Sequence, residues 1–499
     1  MTNKSLLLYT ASQSRALDRL AIESGISGFE LMQRAANCVF QQLLLQWPNK
    51  QTVTVFCGAG NNGGDGYLIA LLAYQQGLKV RVYQLGDIRK QSGDALTARR
   101  QMESAGLSAE PYSDSLDEIK ADIIVDAIFG TGLERPVTGL WLSAIQQINR
   151  TNTKKIAVDI ASGLHADTGC EMGEAVKADL TVTFIAQKLG LFTADGVGCS
   201  GSIYFDDLSI PSANYEKVIS QTALINSCSS KAVFRNRQKN SHKGMHGNVL
   251  IVGGAPGMSG AVMMAASAAL RSGCGLVNVA THPTHAVMIN HYQPEIMSHG
   301  VTSSAELTPL IESADVIVFG PGIGQSDWAA ELFECIVEAD TPIVLDADGL
   351  NLLAKKPRNK NNWTLTPHPG ETARLLSCHT SEVQANRFNA IASLQAKYGG
   401  VSVLKGAGTL ISCGEKVNVC TAGNPGMASA GMGDILSGVL GSLIAQASQI
   451  ESLNASLFDI VTYGVDLHSR AGDAAATQDG EKGLLATDLL PHLRRLVNE

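Results

Sequence analysis

Short apolar runs alternate with helix-length stretches along the chain. In its first part these runs occupy positions 53–56, 79–85, 122–128, 155–160 and 180–185. Each run is apolar at consecutive positions and not at every second position, which is typical of strands in a parallel sheet that helices cover on both faces. The pattern predicts an α/β fold.

A second series of the same kind follows, with runs in the segments 247–254, 275–280, 314–320, 341–349 and 401–409. Between the two series, residues 207–247 contain fewer apolar and more polar residues, so we place a domain boundary near 215–230. The chain is expected to form two α/β domains, residues 1–220 and 221–499. The first is expected to be a Rossmann-like, three-layer domain, and both carry glycine-rich loops at strand ends, where open α/β sheets bind ligands.

The composition narrows the class of partner. The chain has 499 residues, 45% of them hydrophobic and 17% charged, enough for more than one core. A net charge of -8 gives no basic footprint for nucleic acid or an anionic membrane, so small molecules are the expected partners. Ten scattered cysteines without a Cys-x-x-Cys pair are typical of reduced core thiols. No apolar stretch has the length of a signal or membrane segment, and we expect a cytoplasmic protein.

The segment "VTVFCGAGNNGGDGYLIALLAY" (53–74) places a glycine-rich loop directly after a predicted strand. Gly58, Gly60 and Gly63 match the spacing G-x-G-x-x-G, and Asp87 follows the next strand, as in a dinucleotide fingerprint. A turn that only closes strand to helix is the alternative. The continuation "NNGGDG" favours a ligand site, because it adds two amides and a carboxylate where backbone amides alone would meet a pyrophosphate.

Two further strand ends carry aspartates, in "VDAIFGTGLERPVTG" (125–139) and "VDIASGLHADTG" (158–169). A single aspartate at a strand end is usually a cap or a turn former. Asp126 and Asp159 lie at neighbouring strand ends, however, and with Asn62 and Ser162 they would bring together the oxygen ligands that hard cations prefer. The "GTG" glycines and the arginine that follows would hold phosphate beside that cation.

These three motifs resemble the N-terminal domain of the NAD(P)H-hydrate repair enzymes, an epimerase that interconverts the S and R forms of hydrated NAD(P)H; the resemblance covers residues 10–215. It implies substrate contacts at Asn61, Asn62, Gly63, Gly64, Asp65, Gly130, Thr131, Gly132, Leu133, Glu134, Arg135, Pro136 and Asp159. It also implies potassium ligands at Asn62, Asp126 and Ser162. Two positions depart from the family pattern: Ala161 replaces a proline, and His165 replaces an aspartate.

Inverting a hydroxyl-bearing ring carbon requires that a bond at that carbon is broken and remade. A carboxylate at the reacting ring can move the proton and stabilise positive charge. Asp159 is our first candidate for this catalytic role, and Asp65 is the second.

The second domain contains several glycine-rich loops and one helix start suited to phosphate. In "AGNPGMASAGMGDILSGVLGSLIA" (422–445), Gly431 and Gly433 precede a helix whose free amides and dipole favour an anion. Asp434 lies in the first turn, where an aspartate is by default a cap. Here it is also placed to accept a proton from an attacking hydroxyl during phosphoryl transfer. His368 lies between two prolines, which restrict the backbone on both sides of it.

The motifs "SHKGMHGNVLIVGG", "GPGIG", "TPHPGE", "KGAGT" and "GNPGMASAGMGD" together resemble the ribokinase-like fold and the ADP- or ATP-dependent NAD(P)H-hydrate dehydratases, over residues 230–495. The resemblance implies that the hydrated nicotinamide contacts Ala261, Gly322, His368 and Asp434. It implies that the adenine nucleotide contacts Lys405, Gly406, Ala407, Gly408, Thr409 and Gly433. Phosphorylation of the ring hydroxyl, with Mg²⁺ on the nucleotide phosphates, is then followed by elimination.

The sequence therefore predicts a bifunctional repair enzyme that epimerises hydrated NAD(P)H and dehydrates the S form at the expense of ADP or ATP. The order of the domains, epimerase first, suggests ADP. One alternative is a ribokinase-like kinase for a vitamin precursor with an N-terminal regulatory domain, and another is a first domain that serves only as a binding module. We expect a homo-oligomer, a tetramer or larger. His282 and His285 are assigned no metal site, and the basic stretch 235–243 is interpreted as a solvated surface.

Overall fold

The computed structural model describes residues 4–114, 119–225, 237–450 and 455–499. The chain divides into two compact units, Met1–Ala223 and Leu224–Glu499. Among the described residues, no helix combines the length and the apolar character needed to cross a bilayer.

The first unit contains a seven-stranded sheet in the order β4-β3-β2-β5-β6-β7-β9, and every neighbouring pair in it is parallel. Its strands are β2 (Thr52–Cys57), β3 (Lys79–Gln84), β4 (Ala109–Pro111), β5 (Ile123–Ala127), β6 (Lys154–Val158), β7 (Leu180–Phe184) and β9 (Ser202–Asp206). Three further strands, β1 (Leu7–Tyr9), β8 (Gln187–Lys188) and β10 (Thr222–Leu224), lie outside this sheet. The helices are α1 (Ala11–Glu23), α2 (Gly28–Gln46), α3 (Asn61–Gln75), α4 (Gly93–Ser104), α5 (Gly139–Arg150), α6 (Gly196–Cys199) and α7 (Ser212–Glu216).

The first strand of this sheet along the chain is β2, in the middle; β3 and β4 are added on one side of it, and β5, β6, β7 and β9 on the other. The order of the strands therefore reverses between β2 and β5. In a doubly wound sheet this reversal opens a crevice at the carboxyl ends of the two strands. The first turn of α3 follows β2 directly, so the segment that begins at Asn61 is helical and is not an extended loop. The predicted runs agree with the observed strands because helices cover both faces and leave consecutive residues buried.

The second unit contains nine strands in the order β13-β12-β11-β14-β15-β16-β17-β18-β19, parallel up to β17 and antiparallel beyond it. The strands are β11 (Asn248–Val252), β12 (Leu276–Thr281), β13 (Met297–Gly300), β14 (Val316–Phe319), β15 (Ile343–Leu345), β16 (Trp363–Leu365), β17 (Val401–Leu404), β18 (Thr409–Cys413) and β19 (Lys416–Cys420). The helices are α8 (Ser259–Arg271), α9 (Pro283–Tyr292), α10 (Ser304–Ser313), α11 (Asp327–Glu338), α12 (Ala347–Lys355), α13 (Pro369–Leu376), α14 (Thr380–Ala385), α15 (Arg387–Tyr398), α16 (Met432–Ser448), α17 (Leu457–Asp479) and α18 (Leu489–Leu496).

Two apolar cores cover the faces of this second sheet. Alternate residues of β11 separate into them, Val249 and Ile251 into one and Leu250 and Val252 into the other. Helices α8 and α16 approach closely on the first face, because a Cβ at Gly438 would lie 2.0 Å from the Ala265 carbonyl oxygen. This packing fixes the first turn of α16 relative to the sheet.

The cysteines agree only in part with the expectation of core thiols. All nine cysteines of the described ranges are free, and Cys57, Cys199, Cys274 and Cys420 are buried. Cys413 is exposed, because it ends a strand of the antiparallel extension.

Candidate active sites

A cleft of about 860 Å³ opens in the first unit at the reversal between β2 and β5. It is lined by residues from the first turn of α3, from the segment after β5 and from the ends of β6 and β7. The predicted contacts that line it are Asn61, Asn62, Asp65, Gly130, Thr131, Gly132, Leu133, Glu134, Arg135 and Asp159.

Gly63, Gly64 and Pro136 do not line this cleft. A Cβ at Gly63 would lie 1.9 Å from the Gly58 carbonyl oxygen, and one at Gly64 would lie 2.7 Å from the Met32 side chain. These two glycines are required by the close packing of α3 against its own strand turn and against α2. A Cβ at Gly60, in contrast, would meet nothing within 4 Å.

Asp159 follows β6 in the left-handed backbone region, with φ of 67°. Aspartate tolerates this region better than most residues do, and such strain is common at functional sites. The Asp159 amide donates to the Val182 carbonyl at 2.7 Å, and its carboxylate accepts from the Phe184 amide at 3.1 Å. The carboxylate also forms an ion pair with Lys188, whose side chain is only 1% exposed, whereas that of Asp159 is 17% exposed.

The Lys188 ammonium has three acceptors. Besides Asp159 Oδ1, it donates to Thr183 Oγ1 at 3.0 Å and to the Phe184 carbonyl at 3.1 Å. An ammonium carries three protons, so this cation is fully satisfied by the protein. Its geometric role is to hold the Asp159 carboxylate at the wall of the cleft.

Two further carboxyl groups line the same cleft. Burial raises the pKa of Asp65 well above its usual range, and the nearby Asp159 and Asp18 raise it further. Burial also raises the pKa of Asp18 to about 6, although Lys188 lowers it. The cleft thus combines a carboxylate in an ion pair with carboxyl groups that retain a proton at higher pH, an arrangement suited to acid–base chemistry.

The predicted potassium ligands meet around the backbone of Phe129. Asp126 Oδ1 accepts from Ser162 Oγ at 2.5 Å, and Ser162 Oγ accepts from the Phe129 amide at 2.8 Å. Asn62 Nδ2 donates to the Phe129 carbonyl at 2.9 Å. Asp126 is fully buried and has no ion-pair partner among the described residues; burial raises its pKa to about 6. Carboxylate, hydroxyl, amide and carbonyl oxygens without a counter-cation fit a monovalent hard cation.

The two departures from the family pattern are accommodated locally. His165 Nδ1 accepts from the Asp167 amide at 3.3 Å and from the Thr168 amide at 3.2 Å. The imidazole therefore supplies the turn-forming acceptor that an aspartate would offer. Ala161 is buried, at 1% exposure, in the turn between Asp159 and Ser162.

In the second unit, Ala261 in the first turn of α8 lies next to Gly322 in the loop after β14. A Cβ at Gly322 would lie 3.2 Å from the Ala261 methyl carbon and 2.7 Å from the Met258 carbonyl oxygen. One turn further along α8, Met264 packs on Gly431, since a Cβ there would lie 2.5 Å from the sulfur. The predicted substrate residues of α8 thus lie beside the start of α16.

A second lysine–aspartate pair, Lys405 and Asp346, lies next to the first turns of α16. Lys405 Nζ donates to Asp346 Oδ1 at 2.8 Å, and Ser437 Oγ donates to Asp346 Oδ2 at 2.8 Å. The Asp346 side chain is 2% exposed and that of Lys405 is 22% exposed. Burial opposes ionisation of the carboxyl, but Lys405 and the hydrogen bonds hold the pKa of Asp346 below its usual range. A Cβ at Gly433 would lie 3.2 Å from Lys405 Nζ, so glycine permits this approach.

Asp434 lies in the first turn of α16 and is half-buried. Burial raises its pKa to about 7, Asp346 raises it further and Lys405 opposes both. Glu371, buried on α13, likewise has its pKa raised to about 7 by burial. Carboxyl groups that titrate near neutral pH in a cleft are candidates for proton transfer.

His368 is the N-cap of α13. Its Nδ1 accepts from the Gly370 amide at 3.0 Å, which assigns the neutral ring proton to Nε2. Burial and the nearby Lys405 lower the pKa of His368. Nε2 lies 3.5 Å from Glu371 Oε1, and the His368 side chain is 51% exposed.

The "KGAGT" loop is held in place by hydrogen bonds from a buried arginine. Arg387, 1% exposed, donates to the carbonyls of Leu404, Lys405 and Gly408 at 3.2–3.4 Å. Thr409 Oγ1 donates to the Gly406 carbonyl at 3.0 Å. With its carbonyls engaged from one side, the loop is held rigidly for a ligand on the other.

Several site residues escaped the sequence analysis, namely Asp18, Lys188, Asp346, Glu371, Arg387 and Ser437. Two of them carried a usable signal. Lys188 is a single cation inside the apolar segment "FIAQKLGLF", and Asp346 directly follows a buried strand, as Asp159 does. Asp18 lies on an ordinary amphipathic helix, where nothing in the sequence distinguishes it.

Comparisons with known proteins agree with this geometry. A family model described as NAD(P)H-hydrate dehydratase matches residues 249–495, and one described as YjeF-related protein N-terminus matches residues 28–190. The bifunctional NAD(P)H-hydrate repair enzyme Nnr of Coxiella burnetii is 48% identical over 99% of this chain and 99% of its own length. The protein of that name from Escherichia coli is 39% identical, over 95% and 90%. A ribokinase-like superfamily protein from Enterococcus faecalis is similar in structure, with 27% identity and a TM-score of 0.51 over 56% of this chain and 96% of that one.

The fold and the two candidate sites define a two-domain α/β enzyme with a Rossmann-like first unit and a ribokinase-like second unit, which confirms the predicted fold class. The chain belongs to the family of bifunctional NAD(P)H-hydrate repair enzymes. This membership confirms the predicted pairing of an epimerase domain with a dehydratase domain.

Proposed function

We propose that the first cleft epimerises hydrated NAD(P)H and that the second dehydrates one epimer, taken as the S form, with ADP or ATP as phosphoryl donor. We place the domains at residues 1–220 and 221–499. One juxtaposition supports the second activity most directly: Asp434, in the first turn of α16, lies beside the Lys405–Asp346 pair, and burial raises its pKa to about 7.

In the first cleft, Asp159 is the proposed base and stabiliser of positive charge at the ring. Its ion pair with Lys188 and its hydrogen bond from the Phe184 amide on β7 fix the direction of its carboxylate. Asp65, whose pKa is raised by burial, is the proposed proton donor to the departing oxygen. The carbon–oxygen bond at the ring breaks as Asp65 protonates the departing oxygen, which leaves as water. Water then adds to the ring cation on the other face and gives a proton to Asp159, and this proton returns to Asp65 through solvent.

Potassium is proposed at Asn62, Asp126 and Ser162, because the buried Asp126 carboxylate has oxygen neighbours and no cationic one among the described residues. When bound, the ion would supply fixed positive charge near substrate phosphates. Asn62 lines the cleft, so it would link the ion site to the substrate.

In the second cleft, Asp434 accepts the proton of the ring hydroxyl as that oxygen attacks the terminal phosphorus of the nucleotide. Phosphate then leaves from the ring with the electron pair of the carbon–oxygen bond, and loss of a proton from the adjacent carbon completes the double bond of NAD(P)H. Mg²⁺ is proposed on the nucleotide phosphates. The described residues contain no cluster of three metal-binding side chains, which suits an ion held mainly by nucleotide and water.

The direct test uses the purified full-length chain with each epimer of hydrated NADH, and with ADP or ATP. Recovery of the reduced-nicotinamide absorbance is expected from the accepted epimer, and slower recovery from the other through epimerisation. Accumulation of a phosphorylated product without recovery would favour the kinase alternative instead. A homo-oligomer, tetramer or larger, and a cytoplasmic location complete the proposal; light scattering and cell fractionation test these two.

A further inference from the structure

The Lys405 ammonium has capacity for a ligand. Of its three protons, one reaches Asp346 Oδ1, and no other side chain or carbonyl within the described ranges accepts from it. Its side chain is nonetheless almost four-fifths buried, at 22% exposure. A desolvated cation with open donors is a strong anion contact, because charge-assisted hydrogen bonds strengthen where water is excluded.

The position of the Lys405 ammonium is fixed by the Asp346 carboxylate that it contacts. Both oxygens of the buried Asp346 carboxylate are engaged, one by Lys405 Nζ and the other by Ser437 Oγ on α16. The carboxylate is therefore unable to rotate away without losing a bond. The lysine is anchored to the same helix whose first turn carries Asp434.

Two sources of positive potential, the first-turn amides of α16 and the Lys405 ammonium, lie close together at the start of this helix. The amides of the first turn of α16 carry the positive end of the helix dipole, and Gly433 leaves only 3.2 Å between a built Cβ and Lys405 Nζ. The proposed base, Asp434, lies one residue further along. A phosphoryl group leaving the nucleotide for the ring hydroxyl would pass between these groups.

We propose that Lys405 is a catalytic residue whose ammonium contacts the phosphoryl group during its transfer, and that Asp346 is the positioning residue that aims it. This rests on the proposed dehydratase function. In the step, the bond between phosphorus and the ring oxygen forms while the bond between phosphorus and the nucleotide oxygen breaks. The hydroxyl proton goes to Asp434, the nucleotide leaves with the electron pair, and Lys405 keeps its three protons.

The first test compares binding of ADP and AMP, with Mg²⁺, by calorimetry on the full-length chain. Lys405→Met is expected to weaken ADP at least about tenfold and AMP less than about twofold, because only ADP carries the phosphate that the ammonium contacts. Equal weakening of both nucleotides, or none, would overturn the proposal. The matched control is Lys356→Met, which removes an exposed lysine paired with Glu334 at 2.8 Å and should change neither affinity.

The second test guards against misfolding. Lys405→Met alone leaves a buried carboxylate unpaired, so the double variant Lys405→Met/Asp346→Asn removes both charges together. Its kcat for dehydration is expected to stay at least about 10²-fold below that of the unaltered chain, since a transition-state donor is missing. Recovery of the original kcat in the double variant would overturn the proposal. Failure of the unaltered chain to dehydrate hydrated NADH would instead contradict the proposed function itself.

The positioning role of Asp346 has its own readout in the pH profile of kcat/KM. Asp434 faces Asp346 and Lys405, and Lys405 in turn is near Glu371, His368 and His468. Asp346→Asn removes a negative neighbour and should move the acid limb to lower pH, whereas Lys405→Met removes a positive one and should move it to higher pH. A purely structural role predicts no such opposition, so shifts of the same sign, or none, would contradict the assignment.

Discussion

Both candidate sites contain a buried lysine–aspartate pair, and the two pairs differ in which partner is exposed. In the first unit the lysine is hidden and the carboxylate faces the cleft, with side chains 1% exposed for Lys188 and 17% for Asp159. In the second unit the carboxylate is hidden and the ammonium faces outward, with 2% for Asp346 and 22% for Lys405. The same ion pair therefore presents a base in one domain and a cation in the other.

The hydrogen bonds of the two lysines explain the difference. Lys188 has three protein acceptors, so it acts on ligands only through Asp159. Lys405 has one acceptor within the described ranges and keeps donors for an anion. Epimerisation needs a carboxylate at a ring carbon, and phosphoryl transfer needs positive charge at phosphorus, so each pair presents the partner that its proposed reaction requires.

The strongest test of this comparison removes the proposed base of the second cleft. Asp434→Asn is expected to lower kcat for dehydration by about 10³-fold and to leave epimerisation unchanged, because general-base contributions lie in this range. NADH recovery and separate measurement of epimer interconversion check both parts. Asp327→Asn, an exposed first-turn aspartate of α11, is the matched control. Normal dehydration by Asp434→Asn would remove the basis for assigning phosphoryl transfer to this site.

The second prediction concerns Lys188, whose ammonium has three protein acceptors. Lys188→Met is expected to slow epimerisation by about 10²-fold while dehydration of the accepted epimer continues, because the Asp159 carboxylate loses the ion pair that holds it at the wall of the cleft. Lys188→Arg should also be impaired, since a guanidinium does not fit three acceptors arranged around one nitrogen. Lys154→Met, which removes a half-exposed lysine paired with Asp179, provides the control. Retained epimerisation in both Lys188 variants would contradict the positioning role.

A smaller effect is expected from pH alone. Because burial raises the pKa of Asp434 to about 7, the base is ionised above that pH and becomes protonated as the pH falls through it. Dehydration should therefore slow by about tenfold between pH 8 and pH 6. Steady-state kcat/KM measured at saturating nucleotide over this range provides the check; a flat profile would mean that another group accepts the proton.

The smallest effect concerns potassium. If K⁺ binds at Asp126, it should raise the midpoint of thermal unfolding of the first unit by a few degrees relative to choline, since ten times the Kd contributes about 1.4 kcal/mol. Asp126→Asn should abolish this dependence. Scanning calorimetry in the two salts distinguishes the outcomes, and an equal midpoint in K⁺ and choline would exclude the ion from this site.

Much of the fold was predictable because the first sheet and the strands β11 to β17 of the second are parallel and have both faces covered. The run predicted at 53–56 became β2, and the segment 401–409 contains β17. The hairpin formed by β18 and β19 was not predicted, because its short strands lack a continuous apolar run. The start of α3 at Asn61 was also missed, since glycines there suggested a loop.

The candidate sites were predictable where chemistry directly follows a strand. Asp159 and Lys405 occupy such positions, whereas Asp126, expected after its strand, lies inside the end of β5; their assigned roles remain predictions. Groups that act through burial were harder to find, because burial depends on distant parts of the chain. Arg387 reaches carbonyls 17 to 21 residues further along the chain, and Lys188 reaches the carboxylate of Asp159, 29 residues before it, so both contacts depend on the packing of separate elements.

The glycines of the two loops after β2 and β5 fall into two kinds, and this has a consequence for protein engineering. Gly63 and Gly64 are closed to any side chain by backbone and by Met32, whereas a methyl at Gly60 or Gly132 would meet no atom within 4 Å. Libraries that seek new dinucleotide preferences should therefore diversify the latter pair and keep the former invariant.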